Sequence, residues 1–366
     1  MKITIDRKSF VETLSIGSQM AAKAKGLTEL ENCKMTIKDL TATISSYDSE
    51  VAITKRTSIL CSDGDFVVCI EPKALLAILR SIKDNEVELC FNENICTIKH
   101  KRGSQTMPYF TDEDFPTPYI DQDNSTFVIE SEVLFNWMKE ARQFVSTNTL
   151  YPSLMGVYLY CGDNECGVAA TNMEILYHSK QYSDVNQEEF GASVSIKAID
   201  ALLPMINNTD YVTVMIGSRN VMFKTEDAML ISARTEKPYP NFRRIIPQGN
   251  HIEVEIDKTE LADATKRALL MANEATNLLK ISINNTSLNI TSEDLAGSKS
   301  SHEECLCSCN GGDINIGVKG TYISMLLNLI ENNKVFFTMS APNRPILLVD
   351  VLNKDKILLL MPCQIV

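Results

Sequence analysis

Apolar and polar residues alternate over Met1-Lys2-Ile3-Thr4-Ile5-Asp6, which predicts a strand over residues 2–6. The period then lengthens. Phe10, Val11, Leu14 and Met20 recur at near-helical spacing and predict a helix over 8–23. Alternation returns at 35–37, 40–45 and 51–55, the pattern of antiparallel strands joined by turns such as Lys38-Asp39. Ser62-Asp63-Gly64-Asp65 reads as a turn. A strand, a short apolar-periodic helix and a second strand follow over 68–91, and strands at 95–99 and 104–109 finish the segment.

The same order then recurs twice. Residues 126–130 predict a strand and 132–146 a helix; strands follow at 156–160, 166–171 and 175–181. The strand–helix–strand unit returns over 193–216, with its helix at 198–206, and strands at 221–224 and 229–235 close the copy. The third copy has a strand at 251–256, a helix at 258–273, strands at 279–283 and 287–291, and a polar loop at 293–301. Strands at 305–309 and 314–318, a unit over 314–339, and strands at 346–352 and 356–361 end it.

Two landmarks share one period. Lys73, Lys197 and Lys319 precede the second helix of each copy, separated by 197−73 = 124 and 319−197 = 122. Pro116, Pro240 and Pro362 close extended segments with the same separations, 124 and 122. The openings also correspond: Ile5, Ile129 and Ile256; Phe10, Leu134 and Leu261; Gly17, Ala141 and Ala268. We read three copies of one domain, 1–122, 123–247 and 248–366, joined by polar linkers at 121–125 and 238–247. Each is α+β, with helices on one face of antiparallel sheets.

The 366 residues carry a formal charge of −12, which argues against a protein that coats DNA over its whole surface but leaves room for one basic face. The start of the chain lacks a signal-peptide core and no apolar run approaches the roughly 20 residues of a membrane span. The 11 scattered cysteines suit reduced thiols. We expect a cytoplasmic protein.

Candidate chemistry is sparse. His100, His178, His251 and His302 sit in no catalytic motif, and the sequence has no phosphate-binding loop, dinucleotide turn or nucleophile elbow. We expect no enzymatic activity and no cofactor. Asp112-Glu113-Asp114 and Glu303-Glu304 read as solvated loop faces. Cys305, Cys307 and Cys309 lie beside His302, a conceivable zinc set. Alternate positions on one strand space sulfurs poorly for a tetrahedron, so small buried apolar side chains are the better reading, with no metal.

The local sequences resemble those of the bacterial sliding clamps, the β subunits of DNA polymerase III. Pro238-Tyr239-Pro240-Asn241-Phe242-Arg243-Arg244-Ile245-Ile246-Pro247 is similar to the family linker F-P-D-Y-R-R-x-x-P. Leu154-Met155-Gly156-Val157 with Val168-Ala169-Ala170-Thr171-Asn172 is similar to L-x-G-V/M … V-A-T-D, and Leu360-Met361-Pro362 to the terminal V-M-P. Asp114-Phe115-Pro116 matches the first linker.

The resemblance implies a head-to-tail homodimeric ring around duplex DNA, with helices lining the hole. Cations on or near helices would then meet phosphates without reading bases: Lys73, Lys197 and Lys319, and also Lys23, Lys25, Arg142, Lys266 and Arg267. It further implies an apolar pocket between the second and third domains for client peptides. The clients are the polymerase III catalytic subunit, the clamp loader, translesion polymerases, mismatch-repair proteins and DNA ligase. The matching positions are Leu154, Thr171, Met173, Glu174, Ile175, Leu176, Pro240, Arg244, Ile245, Leu359, Leu360, Met361, Pro362 and Cys363. Where the family has T-D-G-H-R-L, this chain has Thr171-Asn172-Met173-Glu174-Ile175-Leu176, which implies a more apolar and more negative rim. The subunit contact would set Met107 and Tyr109 against Leu270 and Met271 of a second copy. The competing reading is a repeat-built protein-binding scaffold that does not encircle DNA.

Overall fold

The computed structural model of the chain describes residues 1–21, 28–111, 115–235, 237–294 and 296–365. The first stretch holds β1 (Lys2–Asp6), α1 (Arg7–Gly17), β2 (Cys33–Lys38), β3 (Thr41–Tyr47), β4 (Val51–Ser58), β5 (Cys61–Ser62) and β6 (Phe66–Ile70). Next come α2 (Pro72–Ser81), β7 (Glu86–Asn92), β8 (Ile95–His100) and β9 (Gly103–Phe110). The middle stretch holds β10 (Asn124–Glu130), α3 (Ser131–Ala141), β11 (Gly156–Gly162), β12 (Glu165–Thr171), β13 (Ile175–Tyr182), β14 (Phe190–Ser195) and α4 (Ile196–Ile206). It ends with β15 (Tyr211–Gly217), β16 (Asn220–Lys224) and β17 (Ala228–Ala233). The last stretch opens with β18 (Ile252–Asp257), α5 (Lys258–Met271), β19 (Leu278–Ile283), β20 (Ser287–Asp294) and β21 (Lys299–Asn310). It closes with β22 (Ile314–Lys319), α6 (Gly320–Leu327), β23 (Lys334–Met339), β24 (Ile346–Val349) and β25 (Lys356–Leu360).

Local chemistry sets these boundaries. The Asp6 carboxylate accepts from Ser9 N at 2.9 Å and starts α1; Asp257 does the same for Glu260 N at 2.9 Å at α5. The helix expected over 8–23 stops at Gly17, where a Cβ would come within 2.6 Å of the Ile44 carbonyl oxygen. Lys23 and Lys25 fall outside the described residues. The helix expected over 132–146 gives way after Ala141 to a 3-10 turn, Arg142–Phe144. The polar loop expected over 293–301 is instead a hairpin that keeps Asp294 opposite Lys299.

Contacts divide the chain into two compact units, 1–136 with 194–236 and 137–193 with 237–366. Each is built on one antiparallel sheet. The first sheet runs β10-β15-β16-β17-β4-β3-β2-β6-β9-β8-β7-β1-β5; the second runs β14-β11-β12-β13-β25-β24-β23-β18-β21-β20-β19-β22. The repeat is visible in the pairing, because β1–β7, β10–β15 and β18–β23 join corresponding strands of the three copies. In unit one α1 packs on α2 and on β3 and β4, and α4 on β4 and β17; in unit two α5 packs on α6, β20 and β21. The unit-one core, including Ile3, Phe10, Leu14, Met35, Leu75 and Leu89, is fully buried.

Each sheet contains a seam where strands of two copies meet edge to edge. In unit one β17 pairs with β4, from Ala228↔Lys55 to Ser232↔Val51. In unit two β13 pairs with β25, from Ile175↔Leu360 to Ser179↔Lys356. A buried lysine marks both. Lys55 Nζ lies 2.8 Å from Asp227 Oδ2. Lys356 Nζ lies 3.1 Å from Glu140 Oε2 and donates to the Leu329 carbonyl at 3.2 Å. No helix among the described residues is long and apolar enough to cross a membrane.

Removing one partner of a buried pair strands the other charge. Glu140→Ala is expected to cost about 3 kcal/mol in urea unfolding, and Glu140→Ala with Lys356→Met to recover most of it.

Candidate functional site

A tight turn between β12 and β13 organises the site. Asn172 Oδ1 accepts from Glu174 N and Ile175 N, both at 3.0 Å, and Met173 takes φ 77°. The turn holds out Glu174. Lys319 Nζ, at the start of α6, pairs with Glu174 Oε1, and Tyr322 OH donates to Glu174 Oε2 at 2.6 Å. Asn172 Nδ2 donates to Tyr322 OH at 3.1 Å. Partial burial pushes the Glu174 carboxyl up, but hydrogen bonds from Lys319 and Tyr322 and the lysine's charge outweigh it, so the group sits below its ordinary value. The rim is therefore charge-compensated, where the sequence implied a more negative one. Lys319, which the sequence grouped with the phosphate-facing lysines, is paired with Glu174 beside this turn.

The same device stands one repeat earlier. Asp48 Oδ1 accepts from Glu50 N at 3.3 Å and Val51 N at 2.9 Å, and Ser49 takes φ 76°. Lys197 Nζ, in the first turn of α4, lies 2.8 Å from both Asp48 Oδ2 and Glu50 Oε2. Two of the three helix-start lysines thus tie a helix to the preceding copy's turn. Lys73 is exposed and has no ion pair among the described residues.

Of the other candidate cations, Lys266 is exposed and has no ion pair among the described residues. Arg267 is committed to Glu303 Oε2, with Nε at 2.9 Å and NH2 at 2.7 Å. Arg142 is half-buried in its 3-10 turn. Sequence reasoning did not single out Arg80, exposed on α2, whose guanidinium donates to the Ser15 hydroxyl at 3.2 Å. Its i+7 spacing from Lys73 was the signal, since two helical turns return to one face.

The apolar part of the site has a floor and a rim. Ile175, Leu176, Leu359 and Leu360 are buried across the β13–β25 seam. Leu176 and Leu359 cluster with Tyr160, Ala169 and Phe242, and Tyr239, Ile246 and Met361 pack against them. Leu154 is buried at the end of its own 3-10 turn. Thr171 Oγ1 donates to the Ile175 carbonyl at 2.6 Å and accepts from Met173 N at 3.0 Å, which fixes the turn. Met173 (51 % exposed) and Ile245 (42 %) stand out as apolar side chains in solvent. Pro240 and Arg244 are exposed on the linker. Met361 N donates to the Glu174 carbonyl and Cys363 N to that of Gly317, both at 2.7 Å, so the chain end, with half-buried Met361, Pro362 and Cys363, is laid along the site. Tyr322, which the sequence reading missed, lies one helical turn beyond Lys319.

His178 of β13 is buried against this floor. Its ring lies 4.9 Å from Phe242 and its Nε2 is 2.9 Å from Tyr160 OH. Burial, helped by the charge of Arg243, lowers its pKa to about 4.

Two expectations need correction. Met107 and Tyr109 point into the core of unit one, both 7 % exposed, with Tyr109 edge-on to Phe91 at 5.3 Å. The outward side chains of β9 are Thr106, Pro108 and Phe110, whereas Leu270 and Met271 are exposed as expected. Cys305 is buried while Cys307 and Cys309 are half-buried; the latter two thiols face different carbonyls, of Asn284 at 3.9 Å and Gly312 at 3.8 Å. No group of three metal-ligating side chains converges among the described residues.

Residues 1–119 match the N-terminal domain, and 243–364 the C-terminal domain, of the DNA polymerase III beta subunit. The beta sliding clamp of Staphylococcus aureus is 25 % identical over 95 % of both chains, and that of Rickettsia bellii 21 % identical over both whole chains. Among solved structures, the DNA polymerase sliding clamp of Pseudomonas aeruginosa aligns with TM-score 0.95 at 20 % identity, and that of Bacillus subtilis with TM-score 0.92 at 19 %, each over 100 % of both chains.

The depressed pKa of His178 predicts a pH dependence. The unfolded imidazole takes up a proton below pH ~6.5, and the folded one only near about 4. Its contribution to stability is full above pH ~6.5 and falls as pH drops toward 4, by about 3 kcal/mol. Urea midpoints measured between pH 7 and 4.5 are expected to fall less steeply in His178→Gln.

Proposed function

The chain belongs to the DNA polymerase III beta subunit family, the non-catalytic beta sliding clamps, and on that premise we propose that two copies close into a ring that slides on duplex DNA. The ring holds the replicative polymerase on its template in the cytoplasm. It recruits the clamp loader, translesion polymerases, mismatch-repair proteins and ligase through the apolar surface of unit two. The observation that carries this reading is the seam. At β4–β17 and β13–β25, the last strand of one copy adds to an edge strand of the copy before it.

That rule leaves two strands over. β9, the last strand of the first copy, pairs with β8 on one side and meets β6 only at Cys69↔Phe110 and Ile70↔Tyr109. β21 pairs with β20 up to Leu306 and with β18 only from Cys307 onward. Both edges offer unpaired backbone groups, and joining β9 of one copy to β21 of another repeats the seam in trans. A head-to-tail contact made twice closes a two-membered ring. Phe110 (53 % exposed) and Leu306 (72 %) are outward side chains at these edges, and Leu270 and Met271 add apolar surface nearby in sequence to α5's end.

Among the described residues, the exposed helix cations Lys73, Arg80 and Lys266 suit DNA contact, while Lys197, Lys319 and Arg267 are already paired. Few uniform phosphate contacts suit sliding. In unit two, the exposed Met173 and Ile245 beside a preformed apolar floor suit a short client peptide.

Two measurements check this. Loaded on nicked circular plasmid by a bacterial clamp loader with ATP and washed in high salt, the protein is expected to stay on circles and leave on linearisation. Equal loss from both forms, with loading verified on a control clamp, would favour the scaffold reading. In sedimentation, Phe110→Asp with Leu306→Asp is expected to give folded monomers; a fully dimeric double variant rules out the β9–β21 contact.

A further inference from the structure

We propose that unit one carries a second peptide-binding groove, over the β4–β17 seam beneath residues 115–120, that takes the same class of client peptide as the unit-two surface. It rests on the reading of that surface as a peptide site.

The repeat places the groove. Asp48-Ser49-Glu50 stands 124 residues before Asn172-Met173-Glu174. The two turns share their carboxyl- or amide-capped geometry, the positive φ at the middle residue (76° and 77°) and the lysine held on the glutamate. Pro116 stands 124 residues before Pro240, so a proline linker follows in both copies. The seams below also correspond: Ala52 faces Ile231 as Leu176 faces Leu359.

The unit-one floor carries a smaller side chain. Ala52 lies where unit two has Leu176, and the smaller side chain leaves room. Two adjoining hollows of about 230 and 200 Å³ share Tyr47, Pro118 and Ile231. Met229 and Ala52 line the first; Asn220 and Ala233 line the second. Ala52, Met222 and Ile231 form an apolar cluster with Tyr47 and Met229 packed against it.

A second observation points to the occupant. Asn220 is 4 % exposed, and its Nδ2 donates to the Tyr119 carbonyl at 2.8 Å, but its Oδ1 has no partner among the described residues. A buried acceptor left unpaired is costly, and a donor brought by a ligand recovers that cost once the Asn220 side chain turns toward the second hollow, which this residue lines. An extended peptide supplies a backbone N–H together with apolar side chains two residues apart on one side. That combination fits an orphan amide oxygen beside an apolar floor.

The test is calorimetric titration of the full-length protein. The probe is an acetylated pentapeptide with leucine at its second and fourth positions and phenylalanine at its fifth. The wild type is expected to bind two peptides per chain. Ala233→Trp, which fills the groove from its exposed edge, and Met229→Glu, which charges its floor, should each remove one site and keep the other. Circular dichroism checks that both fold. Ile245→Glu should remove the unit-two site alone. A single wild-type site that survives Ala233→Trp and Met229→Glu but is lost in Ile245→Glu overturns the second groove and leaves the first reading standing. A single site with the opposite pattern supports the groove and removes the unit-two reading. No binding at all overturns both.

Discussion

Backbone pairing across a repeat border is the constraint on which the rest depends. A strand edge of one copy is completed only by the last strand of the next, β17 on β4 and β25 on β13. Such pairing asks little of side chains beyond alternation, so three copies can diverge almost completely and still join in the same way. Side chains then reinforce each seam at two points. A buried lysine, Lys55 or Lys356, lies within the pairing, and a helix-start lysine, Lys197 or Lys319, reaches back to the turn of the previous copy.

Those turns also shape the surfaces above the seams. Positive φ at Ser49 and Met173 makes each turn abrupt, so that a glutamate and an exposed residue stand at the lip of an apolar floor. In unit two the floor is packed with aromatic rings, Tyr160, Tyr239 and Phe242, and the rim charges cancel. On the proposed reading of that surface as a peptide site, recognition there would rest on shape and apolar contact, with charge playing a smaller part than the sequence departure implied.

The fold was largely legible because its signals are local and occur three times. Period-2 and period-3.6 patterns placed nearly every strand and helix, and the lysine and proline spacings exposed the repeat. Ends were misjudged where tertiary contact intervened, as at Gly17, whose close approach to Ile44 no local pattern announces. Charge compensation was illegible because the partners are remote: Glu50 lies 147 residues from Lys197, and Glu174 lies 145 from Lys319. Met107 and Tyr109 were turned the wrong way because alternation fixes which residues share a face, not which face is buried. Phe91, which packs on Tyr109, made the choice.

The seams also set an order of events on the ribosome. β4 ends at Ser58, and the strand that covers its free edge ends at Ala233, 233−58 = 175 residues later. At about 5–20 residues per second, the nascent chain carries that bare edge for roughly 9–35 s. During that time the unpaired edge of β4 is open to any other exposed strand. Slow elongation through residues 59–227 would lengthen that exposure.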